Sequence, residues 1–429
     1  MRLRKGVIAE GKGGRPLIII ASLMISFMFV VPASLIFCGI GNIENSVIGA
    51  DGKEIDIGDY TDMSEFADDV NAALEDHDQV IVIGSRTGID MNAIGGMCFY
   101  IPSDKTLFWR AEYDHHYGIV LRGTEADGSG SFVVSDDHED LVLPYMIVED
   151  GISAEIYRDV RFFCSDSGVK NDGMLIINGD LTLDGTDCSI GARDRGVLTL
   201  NGNFTSYGDG CRIEARDRGM TTIEGSVTFS SDRSCILAEN GGRVAITGGV
   251  TGNSNGNDIL IIQIEGSGGE LTAGAVTTSG RGIWVVDGGK ATINGDLRAG
   301  GAYAIESAGE VLINGNVVAG NAGVQSGGGL IVIEGMLTAD PDRYIGFMRG
   351  EIRSDFLLKG QYVRDGDYYV YDGSELINAD AFVYVKIYGG TDGHKYFDIS
   401  DGGLGVMLIV IIAVVAAAGA VCYFLVRKR

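Results

Sequence analysis

Leu175-Ile176-Ile177-Asn178-Gly179-Asp180-Leu181-Thr182 recurs as Leu198-Thr199-Leu200-Asn201-Gly202-Asn203-Phe204-Thr205 and again as Thr221-Thr222-Ile223-Glu224-Gly225-Ser226-Val227-Thr228. Its glycine continues at Gly248, Gly274, Gly295, Gly315 and Gly335, giving spacings of 23, 23, 23, 26, 21, 20 and 20 residues. A recurrent period of this size marks a solenoid. Apolar residues alternate within each copy, as in Leu175, Ile177, Leu181 and Leu183, which is the pattern of strands with one buried face. Further strands read at Cys188-Ser189-Ile190, Cys211-Arg212-Ile213, Ile283-Trp284-Val285 and Ala304-Ile305, so each period holds two or three short strands. The period exceeds the roughly 18 residues that three hexapeptide repeats make, and it lacks a leucine-rich consensus. A parallel β-helix satisfies these observations, with inward residues stacking into aliphatic ladders at about 4.8 Å per coil. The Asn-Gly pairs at Asn178, Asn201, Asn294 and Asn314 mark turns, where both residue types are expected to supply φ > 0.

Composition agrees. The 429 residues include 66 glycines but 5 prolines, and Gly is therefore roughly twice its average usage of about 7%. There is no G-X-Y period to make collagen, and 45% hydrophobic residues exclude a generally disordered chain. A formal charge of -26 argues against binding nucleic acid, which needs a clustered basic surface. No nucleotide fingerprint, phosphate loop or nucleophile triad signature is present.

Upstream of the repeats, residues 63–74 place Phe66, Val70, Ala73 and Leu74 on one face of an amphipathic helix. Val80-Ile81-Val82-Ile83 follows as the first strand, then Ile101-Pro102-Ser103-Asp104-Lys105-Thr106-Leu107 as part of a second coil. Together with the repeats, this entry resembles the right-handed parallel β-helix of pectin-lyase-like proteins and of adhesin-like surface proteins of archaea and bacteria, over roughly residues 62–340. The resemblance implies that the helix caps the open N-terminal coil and shields a sheet edge. It implies a fold more than an activity. From Pro341 the glycine repeat stops and Tyr344, Tyr362, Tyr368, Tyr369, Tyr371, Tyr384, Tyr388 and Tyr396 crowd in, which reads as a β-rich C-terminal cap.

Both ends read as membrane segments. The stretch that opens at Leu404 and closes at Val426 has 23 residues without a charge. As a helix it is about 34 Å long, enough for a hydrocarbon core of about 30 Å. Arg427, Lys428 and Arg429 follow and predict a cytoplasmic C-terminus. At the other end Arg2, Arg4, Lys5, Lys12 and Arg15 precede an apolar run over 17–38. This run is longer than the 7–15 apolar residues of a cleavable signal, which favours a retained anchor, while Gly39-Ile40-Gly41 offers a cleavage site. Residues 42–402 are expected outside the cytoplasm either way. Without the eight terminal bases and Glu10, that region has 25 basic and 58 acidic residues, a net charge of -33.

The predicted organisation is an all-β, right-handed parallel β-helix ectodomain with an N-terminal capping helix, flanked by two transmembrane helices. Its segments are a basic tail with signal anchor or signal peptide (1–41), the capping-helix segment (42–78), the β-helix (79–340), the Tyr-rich cap and stalk (341–403), the membrane helix (404–426) and a cytoplasmic basic tail (427–429).

One cluster stands out as a candidate ligand site. Arg193-Asp194-Arg195-Gly196 is repeated 23 residues later as Arg216-Asp217-Arg218-Gly219, and stacked coils bring the two copies side by side. Six Arg and six acids between 193 and 233 make a neutral island, read either as a ladder of mutually neutralising pairs or as a site for an anionic sugar. Asp114-His115-His116 and residues 136–140 carry metal-capable groups, but neighbours on a strand point to opposite faces. No metal site or cofactor is expected; calcium is the one ion left open. Cys188 and Cys211 occupy equivalent positions and are expected to stack as buried thiols, with Cys235 one residue out of phase. The functional expectation is a membrane-anchored surface protein that binds glycans or proteins of the cell surface or environment. A tethered polysaccharide lyase or hydrolase and a self-associating envelope protein are the alternatives; Ala413/Ala417 and Ala416/Ala420 supply small-xxx-small spacing for a homo-oligomer.

Overall fold

The computed structural model describes residues 52–339 except 88–94, 115–116, 125–129, 137–139, 165–167, 253–259 and 336. Beyond them it describes the backbone of strands at 345–354, 362–365, 368–371, 383–389 and 395–401. The apolar segments at 17–38 and 404–426 lie outside the described residues. Among the described residues no helix is long and apolar enough to cross a membrane.

The repeats form a mostly-β parallel solenoid of about 11 turns. A typical coil contributes one strand to each of three parallel faces, as in Met174–Ile177, Leu181–Leu183 and Ser189–Ala192, whereas Ala322–Ile333 runs as one strand through the third and first faces and joins them. The 23-residue period becomes register. Leu175 pairs with Leu198 and Leu198 with Thr221 in the first sheet, Leu181 with Phe204 and Phe204 with Val227 in the second, and Ile190 with Ile213 and Ile213 with Ile236 in the third. These columns point inward and are buried, and each fully buried aliphatic side chain contributes about 1.5–3 kcal/mol. Thr221 interrupts one column, and its hydroxyl donates to the Glu214 carbonyl at 2.8 Å so that the buried oxygen is satisfied.

At the N-terminal end, strand β1 (Gly52–Asp56) precedes helix α1 (Met63–Asp76) and pairs in parallel with strand β2 (Gln79–Ile83). Val80–Ile83 is therefore the second strand of its sheet, which corrects the reading from sequence. Asp62 caps α1 by accepting from the Ser64 amide at 2.8 Å, and Met63, Phe66, Ala67, Val70 and Leu74 are buried. Phe66 meets Phe99 and Trp109 edge to face, with centroids 6.1 and 6.2 Å away. Short strand β3 (Ser85–Thr87) leads toward β4 (Gly95–Ile101), which pairs on one side with Tyr117–Gly123. On its other side the Asn71 amide of α1 donates to the Cys98 carbonyl at 2.9 Å and accepts from the Tyr100 N–H at 2.8 Å. A side chain thus occupies the ladder positions of a missing strand.

At the other end, strand Ile345–Ser354 still runs parallel to Ala322–Ile333 but pairs antiparallel with Val383–Gly389, itself antiparallel to Lys395–Asp401. The side chains of the eight clustered tyrosines lie outside the described residues.

The Asn-Gly corner between the first and second sheets works differently from the sequence expectation. None of Gly179, Gly202, Gly225, Gly248 or Gly315 has positive φ. A Cβ at Gly202 instead runs into the Gly179 carbonyl, one at Gly225 into that of Gly202, and one at Gly248 into that of Gly225. Close coil stacking, not a left-handed turn, selects glycine here. The asparagines stack as a hydrogen-bonded ladder, with Asn201 Nδ2 donating to Asn178 Oδ1 at 2.7 Å and Asn314 Nδ2 to Asn294 Oδ1 at 3.1 Å.

Candidate functional site

Positive φ is concentrated at the corner joining the third sheet to the first. Strand Ser189–Ala192 enters the turn Arg193-Asp194-Arg195-Gly196 and leaves as Val197–Leu200. The Gly196 N–H donates to the Arg193 carbonyl at 2.7 Å, and Gly219 N–H to that of Arg216 at 2.8 Å. Both central residues are left-handed, with φ of 48° and 77° at Asp194 and Arg195 and 51° and 71° at Asp217 and Arg218. Two left-handed central residues are the signature of the type I′ turn, which favours Asn or Asp followed by Gly. The same corner follows that preference in other coils, at Asn240-Gly241 and Asp287-Gly288. Arginine at 195 and 218 accepts a conformation that costs an L-residue about 1–2 kcal/mol.

The six candidate residues divide into two groups. Arg193 and Arg216 do not pair with Asp194 and Asp217, so the expected ladder of neighbouring Arg/Asp pairs is corrected. Both converge on Glu214. Arg193 Nε reaches Glu214 Oε1 at 2.8 Å and its Nη2 makes a second contact, while Arg216 Nε lies 3.0 Å from Glu214 Oε2 and 3.5 Å from Glu239 Oε2. The Glu214 side chain is 1% exposed and those of the two arginines are 31% and 29% exposed. Glu214 pairs across the sheet with Gly191, whose missing side chain leaves the carboxylate room over the coil below. A carboxylate taken out of water needs such partners. Asp194, Arg195, Asp217 and Arg218, by contrast, are exposed. Asp217 accepts from Asn240 Nδ2 at 3.2 Å. Among the described residues Arg195 and Arg218 form no ion pair.

A second surface feature passed unassigned in the sequence. Thr182, Thr205, Thr228, Thr251 and Thr277 pair in succession along the second sheet. They alternate with inward residues and are half-buried or exposed. The signal was present as the last residue of each quoted octet. Beside this column Asp180 Oδ1 accepts from the Asn203 N–H at 2.7 Å and Asn203 Oδ1 from the Ser226 N–H at 3.0 Å. Further along, the Asn316 backbone N–H holds the Asp296 carboxyl below its ordinary range.

The cysteines rearrange the expected thiol stack. The register places Cys188 one residue before the pair Ser189–Arg212, hence beside Cys211, and Cys235 pairs with Arg212, one residue out of phase as read. Cys188 is nevertheless bonded to Cys164, with the Cα atoms 5.5 Å apart. Cys164 follows strand Val160–Phe162 of the second sheet and lies outside the column of Cys188 and Cys211, since Val169 pairs with Ile190, so the repeat gave no sign of this partner. Cys211 and Cys235 remain buried thiols, and burial pushes both upward, Cys235 to about 11. His115, His116 and residues 137–139 lie outside the described residues. Among the described residues no group of three His, Cys, Asp or Glu is placed to hold a metal ion.

In comparisons with known proteins, no family model, curated protein or solved structure matches this chain.

Proposed function

We propose that this chain is a membrane-anchored, acidic cell-surface protein whose coils, right-handed as in the pectin-lyase-like proteins it resembles, serve an adhesin-like binding role. The apolar stretches at 17–38 and 404–426 hold the region between them outside the cytoplasm. The observation that carries the binding role is the column from Thr182 to Thr277: five hydroxyls in register, none with a side-chain hydrogen bond among the described residues. Hydroxyls repeated at about 4.8 Å offer donors and acceptors to a partner that is itself a chain of hydroxylated units, and a glycan is such a partner.

The test has two arms. Protease or a membrane-impermeant label added to intact cells reaches the region 42–402, and the full-length chain in detergent binds glycans on an array. Thr205→Val with Thr228→Val, which removes two hydroxyls at nearly constant shape, weakens that binding about tenfold for one to two lost hydrogen bonds. Protection in intact cells overturns the location. Glycan binding unchanged in the double variant, or no glycan binding by the parent chain, overturns the role.

A further inference from the structure

We infer that Arg195 and Arg218 form a clamp for a tetrahedral oxyanion, a sulfate or phosphate group, on the corner between the third and first sheets. The inference goes beyond the proposed glycan surface and stands on different residues. It holds whether or not the threonine column binds anything.

Four observations carry it. The flanking strands pair Ala192 with Ala215 and Val197 with Met220, so the two four-residue turns lie in register, about 4.8 Å apart. Both guanidinium groups are exposed and without an ion pair among the described residues, although acids are plentiful in a chain of net charge -26. The two nearest arginines, Arg193 and Arg216, are already taken by Glu214 and Glu239. Arg195 and Arg218 also hold left-handed positions that Gly241 and Gly288 fill elsewhere on the same corner. Like charges in adjacent ladder positions repel, and a left-handed arginine is unfavourable, so the bare corner carries two uncompensated costs.

An anion seated between the two guanidinium groups relieves the repulsion. Each guanidinium presents a planar fork that takes two oxygens. A sulfate or phosphate group presents three or more terminal oxygens in a tetrahedral array and can engage both forks at full strength, whereas the two coplanar oxygens of a carboxylate must be divided between two guanidinium groups, as those of Glu214 are between Arg193 and Arg216. The chemistry thus favours a sulfated or phosphorylated group over a uronate. Asp194 and Asp217 fill the first central positions of the turns, which short Asp and Asn side chains tolerate, and their charge limits the affinity. The wider acidic surface is screened beyond about 8 Å at physiological salt.

The experiment uses the full-length chain in detergent, with melting temperature followed against inorganic sulfate, inorganic phosphate and chloride at matched ionic strength. Sulfate or phosphate is expected to raise the melting temperature saturably above chloride. Arg195→Gly with Arg218→Gly abolishes this response while the chain stays folded, because glycine suits both positions. Asp194→Asn with Asp217→Asn keeps the turns and strengthens binding. Dextran sulfate, unsulfated dextran and polygalacturonate then separate the polymeric sources: if sulfate outperforms phosphate, dextran sulfate is retained at least about tenfold more strongly than the other two. No saturable response, an equal response in the Gly variant, or stronger binding of polygalacturonate overturns the inference. Loss of glycan binding in the threonine variant with the sulfate response intact leaves the two sites independent.

Discussion

Glycine and arginine exchange their ordinary roles at two corners of the coil. Gly202 has no left-handed backbone to accommodate, yet a methyl group there meets the Gly179 carbonyl of the coil below. Gly202→Ala is therefore expected to cost about 1–3 kcal/mol through backbone displacement. Arg218 sits in the left-handed region, and Arg218→Gly is expected to raise stability by about 0.5–1 kcal/mol, the strain relieved less the larger unfolded-state entropy of glycine. Urea midpoints of the two variants should move in opposite directions; a loss at Arg218→Gly shows that its φ carries no cost. Glu214 presents the third case. Glu214→Gln leaves Arg193 and Arg216 without their shared charge, and we expect a loss of about 3 kcal/mol, the low end for a broken buried pair because both arginines keep partial access to water. A denaturation midpoint unchanged within error refutes that assignment. Glu214 was visible in the sequence as one of six acids in the island. Only the pleat of its strand shows that it, rather than Asp194 or Asp217, faces Arg193 and Arg216.

Helix α1 shows how far periodicity reaches at the scale of an element. The spacing of Phe66, Val70 and Leu74 was enough to predict a helix with one buried face, and that face is the one that packs on Phe99 and Trp109. Nothing in the spacing marked Asn71, whose amide bonds the backbone of β4 at Cys98 and Tyr100. An edge strand with free N–H and C=O groups templates association. Asn71→Ala is expected to lose about 1–2 kcal/mol for two hydrogen bonds and to raise concentration-dependent scattering. Stability loss without added scattering restricts Asn71 to a local hydrogen-bonding role.

At the scale of the molecule, charge opposes the fold. A net charge of -26 repels itself, and the Debye length shrinks from about 30 Å at 0.01 M to about 8 Å at physiological ionic strength. The melting temperature is expected to rise as sodium chloride increases across that range. A fall indicates that the ion pairs, such as those of Arg122 with Glu149 and Lys290 with Glu310, outweigh the repulsion.

The sequence by itself determined the stacking. A period of 23 residues with alternating apolar positions fixes the register, since a one-residue slip turns the inward columns outward and a two-residue slip displaces the glycines and asparagines from their shared corner. It determined the helix before the coils and the corners where the chain bends. Tertiary structure alone decided why each glycine is there, because a clash with the coil below and a positive φ look alike in a string of letters. It also decided the bond of Cys188 to Cys164 and the partition of four arginines into two held by Glu214 and two left exposed. All of these are relations between neighbouring coils. A residue's partner one coil away lies about 20 or more positions distant in sequence, and only the packed backbone fixes which groups share a face.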